Sequence, residues 1–293
     1  MSERSIFHST ERIDLHSHTS WSDGTCDVAE LFEQARDAGL GVLALTDHDT
    51  VGGWAELPAA VAATGVSAVP GIEVSSEHGR LSVHVLALLV DPDPHSDLAR
   101  EMARARDSRV DRARDMVELI AKDYPISWED VRAQAAGDAT VIGRPHIADA
   151  LVAHGAIPDR SEAFREILSP SGPYYVPYYA PSPVDAVQAI HAAGGVALIA
   201  HPGSVTRDAS LPLDLLETMV EAGLDGIEVD HREHDEAERA RLRDFAARHD
   251  LLITGGSDYH GAGKPNRLGE NLTQPDVLAA ITHRATSSTE VIR

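Results

Sequence analysis

Seven short apolar runs punctuate the chain, and most of them end on, or contain, a side chain able to bind a metal. Residues 12–16 (RIDLH) lead into HSHTSWSDG and 42–46 (VLALT) into DHD. Residues 67–74 (SAVPGIEV) contain Glu73, and 81–90 (LSVHVLALLV) contain His84. Residues 196–200 (VALIA) run into HPG, 226–230 (GIEVD) into HREH and 251–254 (LLIT) into GGSDYHG. Their β-branched and Leu-rich character predicts strands. Between most of them apolar residues recur at helical spacing. Residues 28–40 form one such stretch, stopped by Gly39, and 183–195 opens on Pro and closes on Gly, the usual helix asymmetry. Residues 213–223 and 236–250 repeat the pattern. This alternation predicts βα units around a parallel sheet or barrel.

The rhythm breaks from about residue 98 to 173, where no strand is expected. Helices are predicted over 98–122, 127–136, 146–154 and 160–168. Over residues 100–146 the charges balance, nine basic (eight Arg and Lys122) against nine acidic, whereas the whole chain has 25 basic and 47 acidic residues, a net charge of −22. The region reads as a helical insertion (98–173) between two barrel segments, 1–97 and 174–293. The Pro/Tyr-rich stretch 169–183 is the return.

Composition narrows the partners. At 293 residues, 43% hydrophobic and 25% charged, the chain is ordinary globular protein with ample length for a core. A net charge of −22 makes duplex DNA and anionic lipid poor partners. The longest apolar run, 83–90, is interrupted by His84 and is too short for a membrane helix. The first twenty residues hold no apolar signal core. Cys26 is the only cysteine, which excludes an intrachain disulfide or a CxxC zinc site, so a cytoplasmic location is expected.

Sixteen histidines stand against two lysines, Lys122 and Lys264. His16 and His18, two apart at a strand end, share one face and can grip one ion. Asp23, His48, Glu73, His84, His201, Asp258 and His260 complete the set. All but His84 are expected at or just past a strand's C-terminal end, where a parallel barrel builds its active site. Six histidines and three carboxylates suit two or three divalent ions, at about three to five ligands each. A lone strand histidine such as His84 is ordinarily a hydrogen-bonded core residue, and HxH is weak by itself. The joint series HxHTxxSDG, DHD, GIE, AHPG and GSDYHG carries the argument. His8, His78, His95, His154, His191, His249 and His283 read as ordinary helix or loop residues.

Clustered divalent ions generate hydroxide near neutral pH and neutralise a phosphate as its P–O bond breaks. Three ions against three carboxylates leave the site cationic inside an acidic protein. No CX5R, P-loop or GxSxG supplies a nucleophile, so direct attack by metal-bound hydroxide is expected. For a second phosphate of the substrate, Arg144 and His146 in GRPH are the candidates, with Arg106 and Arg109 behind them. The six arginines from Arg100 to Arg114 mostly read as a solvated helix face. His231 and His234, after the sixth strand, are candidates to line the pocket.

Over the whole chain these motifs resemble those of the PHP (polymerase and histidinol phosphatase) metal-dependent phosphoesterases. GRPHIADAL (143–151), followed by YVP (175–177), resembles the branch containing the nucleoside 3′,5′-bisphosphate phosphatases and the bacterial 5′→3′ exoribonuclease RNase AM. The resemblance implies an α/β fold, a distorted (β/α)7 barrel with a helical insertion, and a trinuclear site. His16, His18, Glu73 and Asp258 would hold the first metal. Glu73 would bridge to a second held by His84 and His201, while Asp23, His48 and His260 would hold the third. Glu73, Asp258 and His201 would be the catalytic residues. Two departures matter. Asp23 stands where many PHP enzymes have histidine, and this harder ligand favours Mn²⁺ over Zn²⁺, with Fe or Mg as further alternatives. The lysine expected shortly before YVP is absent from SGPYYVP, which leaves fine substrate preference open.

The expected activity is release of the 3′-phosphate of a nucleoside 3′,5′-bisphosphate (pAp to AMP), or 5′→3′ exonuclease action on short 5′-phosphorylated RNA or single-stranded DNA. Alternatives are a histidinol-phosphate phosphatase, with the same site but without this insertion, or another small-molecule phosphatase, and a non-catalytic PHP module serving a polymerase, which would tend to lose ligands. An amidohydrolase also begins with HxH, but many use a lysine at a mid-barrel strand end, which neither Lys122 nor Lys264 matches.

Overall fold

The computed structural model describes residues 11–79, 81–135, 142–169, 171–204 and 210–293. His8, Ala136 at the expected end of an insertion helix, and Pro170 in the return stretch lie outside them. All seven predicted strands form: β1 Ile13–Asp14, β2 Val42–Leu45, β3 Ser67–His78, β4 Leu81–Leu88, β5 Val196–Ile199, β6 Gly226–Asp230 and β7 Leu252–Gly255. They join into one seven-stranded sheet in chain order. The sheet curls into a nearly closed barrel. A parallel bridge between Ser17 and Tyr259 joins its two edges just beyond β1 and β7. The buried Asp14 carboxylate draws the N–H groups of His16, Ser257 and Gly269 together across the same seam. Burial lifts its pKa to about 6 against the pull of those donors.

One strand departs from the parallel expectation. β3 outlasts its pairing with β2, which ends at Pro70, and continues to His78. From Gly71↔Leu88 to His78↔Leu81 it zips antiparallel to β4, and β4 pairs antiparallel with β5. The cause lies in the spacing. Six residues separate the expected runs 67–74 and 81–90, while a parallel crossover needs a dozen or more. Glu73 therefore sits inside a strand rather than at its end. In this register Glu73 faces Leu86 and Ser75 faces His84. Glu73 and His84 are then diagonal neighbours on one face of the hairpin.

Helices pack outside the barrel: α1 Val28–Asp37, α2 Leu57–Thr64, α7 Pro183–Ala192, α8 Leu213–Glu221, α9 Glu236–Arg248 and α10 Pro275–Arg284. Sequence patterning anticipates all of these except α2 and α10. Asp27 caps α1 through a capping box with Glu30. In the insertion, α3 (Asp97–Ile120), α4 (Trp128–Arg132), α5 (Arg144–Ala153) and α6 (Arg160–Glu166) follow the predicted segments closely. They share an apolar cluster of their own, including Met116, Ile120, Val131, Ile147, Leu151 and Leu168. The barrel core instead packs Ile72, Val85, Ile199 and Ile227 against Val187 of α7, Leu216 of α8 and Phe245 of α9.

Candidate metal centre

The barrel mouth gathers all nine expected side chains. His16, His18, Glu73 and Asp258 bring one ligand atom each within 4.8 Å of one another. His16 Nε2 lies 3.3 Å from Glu73 Oε2 and 3.5 Å from Asp258 Oδ1. His18 Nε2 lies 3.1 and 3.4 Å from the same two atoms. A second group combines His48, Glu73 and His84. His84 Nδ1 is 2.6 Å from Glu73 Oε1, and His201 Nε2 reaches that oxygen at 2.8 Å. The third group is His18, Asp23, His48 and His260, with His260 Nε2 3.1 Å from Asp23 Oδ1. The groups interlock, because Glu73, His18 and His48 each belong to two.

Buried polar atoms normally find a hydrogen-bond partner. Here His16 Nε2, His18 Nε2, Asp23 Oδ1, Glu73 Oε2, Asp258 Oδ1 and His260 Nε2 are buried and make no hydrogen bond. All six belong to the three groups, and all point at neighbouring lone pairs. A set of imidazole and carboxylate donors facing one another is what divalent cations satisfy, so the residues fit the expected metals. The electrostatics agree. Burial is the largest influence and opposes charge, yet the Asp258 and Glu73 carboxylates facing it lift the His18 pKa to about 9. Burial also opposes ionisation of Asp258, but Lys264, His260 and His16 hold its carboxyl well below the usual range.

A surrounding layer holds these donors still. Glu228 Oε1 takes His16 Nδ1 at 3.1 Å, leaving Nε2 to face the centre. The Asp258 carbonyl does the same for His260 Nδ1 at 2.8 Å. Asp47 accepts the Thr19 N–H and the Thr19 and Ser22 hydroxyls, which shapes the loop carrying His18 and Asp23. Asp49, His201 and Asp258 adopt left-handed backbone, with φ of 52°, 29° and 51°. Such strain outside glycine concentrates at functional sites. At Gly256 a Cβ would collide with His16 and the Glu228 carboxylate, so this motif position must be bare.

Several contributors are invisible to sequence reasoning. Glu228 is one. Its only signal is an acid inside the apolar run GIEVD. Lys264, considered above only as a poor match to an amidohydrolase lysine, places Nζ 2.7 Å from Asp258 Oδ2. Arg160 pairs bidentately with Asp149 and reaches the Asp23 carbonyl at 3.5 Å.

The expected substrate contacts separate. His231 is buried beside the cluster, its Nε2 3.7 Å from Asp258 Oδ2 and its Nδ1 accepting the Glu233 N–H. His234 spends both ring nitrogens on backbone, Gly203 N–H and Val229 carbonyl. His146 is buried, accepts the Gly143 N–H, and feels the charges of Asp23 and Asp149. Arg144 donates to the Leu168 carbonyl at 3.2 Å and lies over the Phe164 ring. The solvated-face reading of α3 fails for its inward row. Arg106 donates to the Asp49 carbonyl, Arg109 contacts Ser75 Oγ and pairs with Asp49 at 3.2 Å, and Arg112 is buried.

A family model described as "PHP domain" matches residues 14–169. Over 270 residues the chain is 37% identical to the 3′,5′-nucleoside bisphosphate phosphatase of Chromobacterium violaceum, covering 92% of this chain and 94% of that one. It is 31% identical over 265 residues to the 5′-3′ exoribonuclease Rnm of Escherichia coli, covering 89% of each. A solved structure from Bifidobacterium adolescentis, assigned as a metal-dependent phosphoesterase, superposes with a TM-score of 0.91 at 43% identity, covering 95% of this chain and 98% of that one. With eight donors in three interlocking groups, and His201 beside them on Glu73, at the mouth of such a barrel, the chain belongs to the PHP domain family of metal-dependent phosphoesterases.

Proposed function

We propose that the protein hydrolyses phosphate esters of nucleotides: the 3′-phosphate of nucleoside 3′,5′-bisphosphates such as pAp, and the 5′ end of short 5′-phosphorylated single strands. Two or three divalent ions, Mn²⁺ by preference, would serve it. The observation that carries this reading is the three interlocking donor groups around Glu73, whose Oε1 meets both His84 and His201. His16, His18, Glu73 and Asp258 would hold one ion. Glu73 with His84 and His201 would hold a second, and Asp23, His48 and His260 a third. Such ions supply an activated water and neutralise charge developing on phosphate. Glu228 keeps His16 in the ligating tautomer. Lys264 steers the second Asp258 oxygen. With Nδ1 accepting a backbone N–H, His231 carries its proton on Nε2 and presents it toward the cluster. The full-length similarity to a bisphosphate phosphatase and an exoribonuclease, both aligned through the insertion, favours nucleotides over histidinol phosphate.

The test is phosphate release from pAp, a 5′-phosphorylated oligonucleotide and histidinol phosphate after chelation and metal return. The chelated protein should be inactive, Mn²⁺ should restore the most activity, and a nucleotide should be the preferred substrate. Full activity in a preparation shown to be metal-free, or preference for histidinol phosphate, would overturn the reading.

A further inference from the structure

Arg112 is 7% exposed, yet makes no hydrogen bond and no ion pair among the described residues. Its Nε is sealed from solvent. The guanidinium carbon lies 4.7 Å from the Tyr178 ring centroid and 5.4 Å from that of Tyr175. Its neighbours on α3 each have an acceptor. Arg100 pairs with Asp97, Arg104 with Glu101 and Arg114 with Asp111, while Arg106 and Arg109 are tied to Asp49. A guanidinium does not shed its proton in a protein. Aromatic faces attract it but supply neither counter-charge nor acceptor. Burial first, and Arg109 with it, work against the charge; Tyr178, Tyr175 and the Glu77 carboxylate favour it, but Glu77 forms no ion pair with it among the described residues and meets the Tyr175 hydroxyl instead. A buried cation left this way has a missing partner.

Its position indicates which partner. Arg106, Arg109 and Arg112 follow one another at three-residue spacing on one face of α3. Arg109 touches Ser75, two residues along β3 from Glu73. Arg112 lies one turn farther from the metal ligands, about 4.5 Å along the helix axis. The other wall of its niche is the return segment, where Tyr175 opens the YVP motif. That segment has no lysine or arginine of its own, and the cations against its tyrosines come from α3: Arg112 at Tyr175 and Tyr178, Arg104 at Tyr179.

We propose that Arg112, held between Tyr175 and Tyr178, receives a second phosphate of the substrate whose reacting phosphate lies at the His/carboxylate centre. The inference rests on the nucleotide reading above and names its specificity residue. The second phosphate is either the 5′-phosphate of a bisphosphate or the next phosphodiester of an oligonucleotide. The tyrosine faces suit a nucleotide in both cases, because rings stack on bases.

The experiment compares Arg112→Met, which removes the charge at similar volume, and Arg112→Lys, which keeps it, with the metal-loaded wild type. Three substrates are used: p-nitrophenyl phosphate, pAp and a 5′-phosphorylated trinucleotide. Arg112→Met should lower kcat/KM for at least one nucleotide by ~10- to 150-fold while changing the aryl ester no more than about twofold, and Arg112→Lys should recover part of the loss. Which nucleotide suffers identifies the source of the second phosphate. Equal change on all three substrates overturns the proposal and makes Arg112 structural. Should Arg112→Met fail to fold, Arg112→Lys decides, since loss of the fork must raise the nucleotide KM selectively. If the wild type cleaves no nucleotide, the earlier reading has failed separately. Calorimetric binding of AMP and a 5′-phosphorylated dinucleotide then tests Arg112, and unchanged affinity for both overturns it.

Discussion

The barrel mouth and the insertion reach the same centre by opposite means. At the mouth, donors leave short strands or the first residues beyond them, are almost fully buried, and several are braced by a second group: His16 by Glu228, His260 by the Asp258 carbonyl, the His18 loop by Asp47. The insertion arrives on long arginines, Arg106 and Arg109 onto the Asp49 loop and Arg160 onto the Asp23 carbonyl. A short braced side chain fixes a ligand atom to a fraction of an ångström. A long one tolerates shifts of the helix that carries it. On the function proposed above, this amounts to a division of labour in which the rigid sheet would fix the chemistry and the helical layer would adjust what is admitted.

The most severe way to break that comparison is Glu73→Ala. Glu73 is shared by two donor groups, so turnover should fall by several orders of magnitude and bound metal should drop, with the fold retained by circular dichroism. Activity equal to wild type would contradict the site assignment. A milder change separates donor from brace. Glu228→Gln keeps every proposed ligand but removes the charge behind His16, and should weaken metal affinity ~10- to 100-fold, read by titration against a competing chelator. An unchanged affinity would mean that the strand alone orients His16. The smallest effect sharpens the insertion side. Arg144→Ala loses a hydrogen bond to Leu168 and the contact with Phe164, which should cost about 1–2 kcal/mol of stability and shift all substrates equally. A loss confined to nucleotides would mean that Arg144 leaves Leu168 to take a phosphate.

Much of this was legible in the chain because its signals are local. Each strand is one apolar run, and the candidate metal ligands lie within those runs or follow them as short motifs. What escaped is non-local or unpatterned. Glu228 and His16 are 212 residues apart, and nothing near GIEVD announces the partnership. Lys264 sits in a loop with no periodicity, so only folding shows it on Asp258. The segment LPAAVAAT of α2 is apolar on most faces and offers no stripe to detect. The arginines of α3 look solvated because acids interleave with them. Only the docking of α3 against β3 and the tyrosine segment turns Arg106, Arg109 and Arg112 inward. Spacing did hold one overlooked clue, since six residues between two strand-like runs already demanded a hairpin.

The seam that closes the barrel also sets a timetable for its birth. Asp14 and Ser257 are hydrogen-bonded across 243 residues, and His16 waits on Asp258 from the far side of the same seam. At ribosomal speeds of about 5–20 residues per second, roughly ten to fifty seconds separate their synthesis. Through that interval the early histidines, Glu73 and His84 exist without Asp258, the carboxylate that closes their group. The donor set is therefore completed only by the last strand: until β7 and the residues after it exist, His16 has no Asp258 to face and His18 no His260.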